Sequence, residues 1–251
     1  MNNIIVLEGL DGSGKETVSK ALSEKFENSK IFKRVEIIHF PYYESETGKL
    51  ISKVLSGNVL KLFTPDELPY GVIELFARNR YQFFKENKLE NDVLYIFDRY
   101  MQSNIFYQTH GLSPYKINTI IEFMRYADYT KFGNPQPEFS VFIRVPYDIL
   151  RKRLDSRKEN KAGIETDTYE SDNFLKTSYH ISELLLNAQH VINFSLLFDF
   201  IVDTVNEETE EVMTPEQIAN TIFKAYIVKT NKEQEQETEE SVEDMLSDQI
   251  N

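Results

Sequence analysis

The chain has 251 residues, with 28 Lys plus Arg against 41 Asp plus Glu, four His, and neither Cys nor Trp. At 41% apolar and 27% charged residues it has the composition of a globular protein, long enough for one large α/β domain with a substantial core. The absence of cysteine excludes a disulfide framework, a thiolate metal site and a cysteine nucleophile, and the net charge of −13 argues against sequence-independent binding of nucleic acid, which needs a basic face. No apolar run approaches the roughly 20 residues that span a bilayer, and Met1-Asn2-Asn3 lacks the basic region of a signal peptide, so a cytoplasmic protein without a membrane or nucleic-acid partner is expected.

Residues 4–7 form a short buried-strand run, followed by a glycine-rich stretch and a helical pattern over 15–26. A second strand is expected at 35–39, then helices at 48–55 and 70–85 and the most apolar strand at 93–97. Ser113 and Pro114 open a further helix as N-cap and first helical residue. A strand at 139–145 leads into a helix from Pro146 to about residue 157, and 158–170 reads as a loop. A helix follows over 172–191 and a strand over 200–205. Thr214-Pro215-Glu216-Gln217 carries a capping box and predicts a last helix from Pro215 to about Val228. Seven of the thirteen net negative charges fall within 231–251, which reads as a disordered acidic tail behind a single domain over 1–230. Strands alternating with helices predict one doubly wound parallel sheet, five-stranded and covered on both faces, with ligands bound outside the carboxyl ends of the strands.

The first such exit carries Gly9-Leu10-Asp11-Gly12-Ser13-Gly14-Lys15 between a strand and a helix. Glycines let successive backbone N–H groups point at a phosphate, the helix N-terminus adds its dipole, and Lys15 can reach the outer phosphates of a nucleotide. Where this loop motif usually has Ser or Thr as a magnesium ligand, Glu16 stands, with Thr17 next; Thr17, a water or Asp11 is expected to replace it. A second exit ends in Phe97-Asp98-Arg99-Tyr100. Asp98 can hold Mg²⁺ directly or through water, and Arg99 can neutralise charge on a transferring phosphoryl group.

Together these residues resemble the thymidylate kinases of the P-loop nucleoside monophosphate kinase group. Glu8 to Thr17 is similar to that family's phosphate loop, in which the second position after the lysine is usually Thr. Phe40-Pro41-Tyr42-Tyr43 resembles its segment over the acceptor nucleotide. Phe76-Ala77-Arg78-Asn79-Arg80 matches its Phe-x-x-x-Arg, where Phe stacks on thymine and Arg bonds a base carbonyl. Asp98-Arg99-Tyr100 with Ser103, Asn104, Tyr107 and Gln108 resembles its signature helix, and Asp167-Thr168-Tyr169-Glu170 its cluster after a mobile lid at about 157–170.

The resemblance covers about residues 4–228 and implies phosphorylation of dTMP by ATP with Mg²⁺, and a homodimer. It implies ATP contacts from Gly9 to Thr17, and acceptor contacts from Asp11, Tyr43, Phe76, Arg80, Arg99, Ser103, Asn104, Tyr107, Gln108 and Tyr169. Asp11, Thr17, Asp98 and Glu170 are the candidate metal ligands. Lys15, Asp11, Asp98 and Arg99 carry the chemistry, and because Leu10 and Ser13 bring no charge to the loop, Arg153 and Arg157 before the lid are expected to supply the catalytic arginine. Two departures stand out: Tyr42 and Tyr43 occupy a segment where the family often has Arg, and Arg144 takes a position that is commonly acidic. A deoxynucleoside kinase would resemble Glu-Arg-Ser rather than Asp98-Arg99-Tyr100. A kinase of broader monophosphate specificity and a non-catalytic nucleotide-binding homologue are competing readings.

Overall fold

In the computed structural model, residues 3–56, 64, 67–160, 172–187, 197–205 and 211–248 are described, with side chains left out at 158–160 and 233–248. Five strands form one parallel sheet in the order β2-β3-β1-β4-β5: β1 (Ile4–Glu8), β2 (Arg34–His39), β3 (Val93–Asp98), β4 (Phe139–Arg144) and β5 (Phe200–Asp203). All five residues of β1 and all six of β3 are buried, as befits central strands covered on both faces. The five expected strands all form, with ends differing by a residue or two.

Each strand exit feeds a helix. α1 (Lys15–Ser29) follows β1, α2 (Glu46–Leu55) and α3 (Leu68–Glu86) follow β2, and α4 (Ser103–Gln108) and α5 (Pro114–Arg125) follow β3. Ser45 caps α2 by accepting from the Gly48 backbone N–H at 3.0 Å, so that helix starts at Glu46, ahead of the expected residue 48. α5 runs on into a π-helical turn, Tyr126–Lys131, that no periodicity announces. α6 (Tyr147–Asn160) extends three residues into the segment expected as a loop, and 161–170, most of the expected lid, lies outside the described residues. α7 (Asp172–Asn187) packs on α4.

α8 (Pro215–Asp248) opens with the expected capping box: the Thr214 backbone N–H donates to Gln217 Oε1 at 2.8 Å, and the Gln217 N–H to Thr214 Oγ1 at 3.3 Å. Its first turns bury Ile218, Ala219, Ile222 and Tyr226, one helical face, and Phe223 and Tyr226 meet Phe26 of α1 at ring distances of 4.9 and 5.3 Å. The helix runs well past the end expected near Val228. The segment 216–248 has no Gly or Pro, and its Glu, Gln and Lys are good helix formers. The disordered acidic tail expected over 231–251 falls largely outside the residues whose side chains are described.

Candidate active site

The phosphate loop joins β1 to α1. Gly9 is required by close approach, since a Cβ there would lie 2.7 Å from Ser13 Oγ and 3.0 Å from the Ile143 carbonyl. Gly12 and Gly14 are held at φ of +85° and +87°, a region costly for any side-chain-bearing residue. Gly14 is the N-cap of α1, so the free N–H groups of that helix open towards the loop. Lys15 is buried and its Nζ donates to the Gly9 carbonyl at 2.8 Å, the Leu10 carbonyl at 3.1 Å and Ser13 Oγ at 3.3 Å. Burial above all, with the Arg99 charge nearby, pulls its pKa down to about 8. Glu16 is exposed and its carboxylate is paired with Lys20 at 2.7 Å. Of the loop residues expected on ATP, Glu16 therefore turns its side chain away and offers only its backbone. Thr17 Oγ1 donates to the Gly14 carbonyl at 3.0 Å, and Thr17 lines a cavity beside the loop.

Across from the loop, β3 ends in Asp98 and Arg99. Asp98 Oδ2 meets His39 Nδ1 at 3.1 Å, whereas Oδ1 is buried with no hydrogen-bond partner. Burial raises the Asp98 pKa, but His39, Lys15 and Arg99 together leave it below the ordinary carboxylate value. Arg99 has φ of +72°, in the left-handed region that a non-glycine residue seldom occupies. That turn carries its guanidinium to Asp11, which pairs with Nη2, while Nη1 donates to Tyr107 Oη at 3.2 Å. Tyr107 Oη in turn donates to Asp11 Oδ2 at 3.1 Å. Burial works against an ionised Asp11, and the Arg99 and Lys15 charges outweigh it, so its pKa is lowered.

Beneath this layer lies Glu8, fully buried at the end of β1. It accepts from the backbone N–H groups of Tyr100 at 2.7 Å and Ser103 at 2.9 Å, and from Ser103 Oγ at 2.7 Å. Burial raises its pKa against the pull of Arg99. Glu8 thus ties the strained turn after Arg99 to the first strand. The same bonds commit the Ser103 hydroxyl proton to Glu8, so towards the cleft that hydroxyl can only accept. Asn104 Nδ2 is likewise committed to the Met101 carbonyl at 3.0 Å, which leaves its amide oxygen to the cleft.

Above Arg99 opens a cleft of about 170 Å³ whose wall includes Asp11, Tyr43, Phe76, Arg80, Arg99, Ser103, Asn104, Tyr107 and Gln108. Every described residue expected to meet the acceptor lines this one cavity; Tyr169 and Glu170 lie outside the described residues. Phe76 and Arg80 are one turn apart on α3, and Phe76 is only half-buried, so it is not absorbed by the core. Arg80 is almost wholly buried. Its Nε and Nη2 donate to Asp128 Oδ1 and Oδ2, each at 2.7 Å, and its guanidinium stacks 5.3 Å from the Tyr100 ring centre. The Phe40–Tyr43 segment is held by Asn79, which accepts from the Tyr42 N–H at 2.7 Å and donates to the Tyr42 carbonyl and to Ser45 Oγ, both at 3.0 Å.

On the other side of the loop, a second cavity of about 460 Å³ is walled by Gly12, Gly14, Thr17, Arg153, Arg157 and Pro215. Arg153 Nη1 donates to the carbonyls of Gly12 at 3.1 Å and Ser13 at 3.3 Å, and its own burial followed by the Arg157 charge lowers its pKa. Arg157 is exposed at the rim and contributes to holding Asp11 ionised. Arg144, the second departure from the family pattern, bonds Glu183 at 2.8 and 3.1 Å and Asp203 at 3.3 Å, which makes it a clamp between β4, α7 and β5, away from either cavity. Sequence reasoning missed the roles of Glu8, Asn79 and Asp128. An acid closing an otherwise apolar strand was the available signal for Glu8; nothing local signals Asp128.

A glycine loop at the exit of a central parallel strand, between two cavities and facing Asp98 and Arg99, defines a P-loop nucleotide-binding protein that can bring two ligands to one loop. Residues 7–196 match the family model described as thymidylate kinase, and the chain belongs to that family. It is 29% identical over 230 residues to a probable thymidylate kinase of Methanococcus maripaludis, covering 88% of this chain and 96% of that one. Against the thymidylate kinase of Plasmodium falciparum it is 28% identical over 219 residues, covering 85% and 92%. The solved thymidylate kinase of Candida albicans, whose report ascribes to it a broad substrate specificity, superimposes with a TM-score of 0.59 at 25% identity, over 91% of this chain and 92% of that one. Among the described residues no helix is long and apolar enough to cross a membrane.

Proposed function

We infer that the chain is a nucleoside monophosphate kinase that transfers the γ-phosphoryl group of ATP to dTMP, yielding dTDP and ADP. The observation that carries this reading is the seam between the cavities. Asp11 and Arg99 line the acceptor cleft, while the loop that holds Asp11 also walls the second cavity, so an acceptor phosphate at Arg99 would face a donor phosphate in the loop.

A phosphate oxygen of dTMP attacks the γ-phosphorus as the bond to the β-bridging oxygen breaks. That oxygen is already ionised at neutral pH, so no general base is needed, and positioning and charge neutralisation supply the catalysis. In this reading Lys15 leaves the loop carbonyls for the outer phosphates of ATP, and Arg99 turns its cation on the transferring group. Arg153, already against the loop carbonyls, and Arg157 at the rim are the cations that α6 brings to the donor side. Phe76 offers a ring to the thymine and Arg80 its unpaired N–H groups to a base carbonyl; Tyr43 and Tyr107 flank the base and sugar.

Mg²⁺ fits this site: the unpartnered Asp98 Oδ1 and Thr17 Oγ1 are available oxygens. When bound, Mg²⁺ would neutralise charge on the β- and γ-phosphates. The family also carries the expectations of a homodimer and a cytoplasmic location. Lys15→Ala tests the reading, because it should remove most turnover and leave the fold intact; near-normal turnover in that variant would sink the assignment.

A further inference from the structure

We propose that Asp128, held by the π-helical turn and by Asn134, is the positioning residue that gives the acceptor cleft its preference for a base with a carbonyl rather than an amino group facing Arg80. The proposal rests on reading that cleft as the dTMP site.

Three observations carry it. First, Arg80 and Asp128 are 1% and 0% exposed, and both carboxylate oxygens are spent on the Nε–Nη2 edge of the guanidinium. The fork fixes the plane of the guanidinium as well as its place, and Tyr100 covers one face. What the cleft meets is the remainder, chiefly Nη1, a group that only donates. Second, Asp128 is itself fixed. Phe132 N–H reaches back five residues to the Ala127 carbonyl at 3.1 Å, the π-type bond that gives the turn its wide pitch. Asn134 Nδ2 donates to Asp128 Oδ1 and to the Ala77 carbonyl, both at 2.9 Å. Ala77 lies one turn before Arg80 on α3, so Asn134 ties the carboxylate to the helix that carries its arginine. Third, Phe76 can stack on any base and Arg99 and Asp11 face the phosphate side, which leaves the base edge to Arg80 and the Asn104 amide oxygen, and of these two Arg80 is the one that Asp128 holds.

A donor edge held still donates to the carbonyl oxygen of thymine or uracil and opposes the amino group that cytosine presents at the same place. A mobile arginine could withdraw from that amino group, so discrimination depends on the fork as well as on the charge. Asp128 does not touch substrate and acts through Arg80.

The experiment compares wild type, Asp128→Asn and Asn134→Ala, measuring KM and kcat for dTMP and ATP, and dTMP and dCMP affinities by calorimetry. For Asp128→Asn the dTMP KM should rise about tenfold and the dTMP-over-dCMP preference should narrow by a similar factor, since one positioned hydrogen bond is at stake. ATP KM and kcat at saturating dTMP should stay within about twofold to threefold of wild type, as expected when only ground-state and transition-state binding of the base are weakened together. Asn134→Ala keeps the ion pair and should move both readouts the same way by about threefold. It decides the matter if Asp128→Asn fails to fold. An unchanged base preference, in the presence of a general loss of activity or stability, would show the pair to be structural and overturn the proposal. Wild type that binds no dTMP would overturn the functional reading and this one with it, an outcome separable from the first because the unmodified protein reveals it.

Discussion

Raising the pH through the titration of Lys15 perturbs the donor site without altering a residue. With its pKa pulled down to about 8, Lys15 is nearly fully charged at pH 7 and about one-tenth charged at pH 9. If the charged form grips ATP, kcat/KM for ATP should fall about tenfold over that interval while kcat changes less, because bound phosphate restores the lysine to its charged state. ATP binding at pH 8–9 should therefore take up a proton, measurable by calorimetry in buffers of different ionisation enthalpy.

Stability should move in the opposite direction. Below pH 8 the folded and unfolded lysines are both charged and the burial cost is fully present; between 8 and the ordinary 10.5 the unfolded chain holds more protons, so stability rises with pH. Across that window, at about 1.36 kcal/mol per pH unit, the gain is about 3 kcal/mol. Buried Tyr100 and Tyr107 titrate at still higher pH, so the clean quantity is the difference between wild type and Lys15→Met in denaturant melts from pH 7 to 10.5. A flat kcat/KM from pH 7 to 9 and no proton uptake would refute the assignment of a buried, phosphate-seeking lysine.

Arg80→Ala strands Asp128 as an unpaired buried charge and should cost about 3–5 kcal/mol in chemical denaturation, with dTMP affinity lost far more than ATP affinity. Equal loss of both nucleotides would make Arg80 structural. Tyr107→Phe removes a hydroxyl shared by Arg99 and Asp11 and should lower kcat/KM for dTMP about fivefold to tenfold, read in steady-state assays, with ATP KM unchanged. Arg144→Ala loses only half-exposed ion pairs, so a melt should shift by no more than about 1 kcal/mol and the kinetic constants should not move. Gly12→Ala, forced to φ of +85° and to within 3.1 Å of the Leu150 carbonyl, should weaken ATP binding in titration calorimetry.

Short-range chemistry was legible in the sequence. The run from Gly9 to Lys15 needs only a strand before it and a helix after it, and those follow from neighbouring residues. Thr214 to Gln217 fixed its own helix start because a capping box is local. Ser113 behaved in the same way, accepting from the Lys116 N–H. What escaped depended on contacts between distant elements. Asp128 meets Arg80 across 48 positions of sequence, through a π turn that breaks the helical period by which faces are assigned. Ser103 lines the cleft, but its hydroxyl proton goes to Glu8, 95 positions away, a bond that no local pattern announces. Arg144 had no account because its partners Glu183 and Asp203 meet it only when β5 and α7 close on β4. Glu16 departs from the usual loop motif without disturbing it, since on an exposed helix face it finds Lys20 one turn on.

Phosphoryl transfer to dTMP itself is tested by a steady-state assay of the full chain with Mg-ATP, offered dTMP or thymidine in separate reactions, with both nucleotide products quantified. Rapid formation of dTDP and ADP in equal amounts from dTMP is expected, and none from thymidine, because Arg99 beside Asp11 suits an acceptor that arrives already ionised. Phosphorylation of thymidine, or ATP binding without transfer to dTMP, would contradict the assignment.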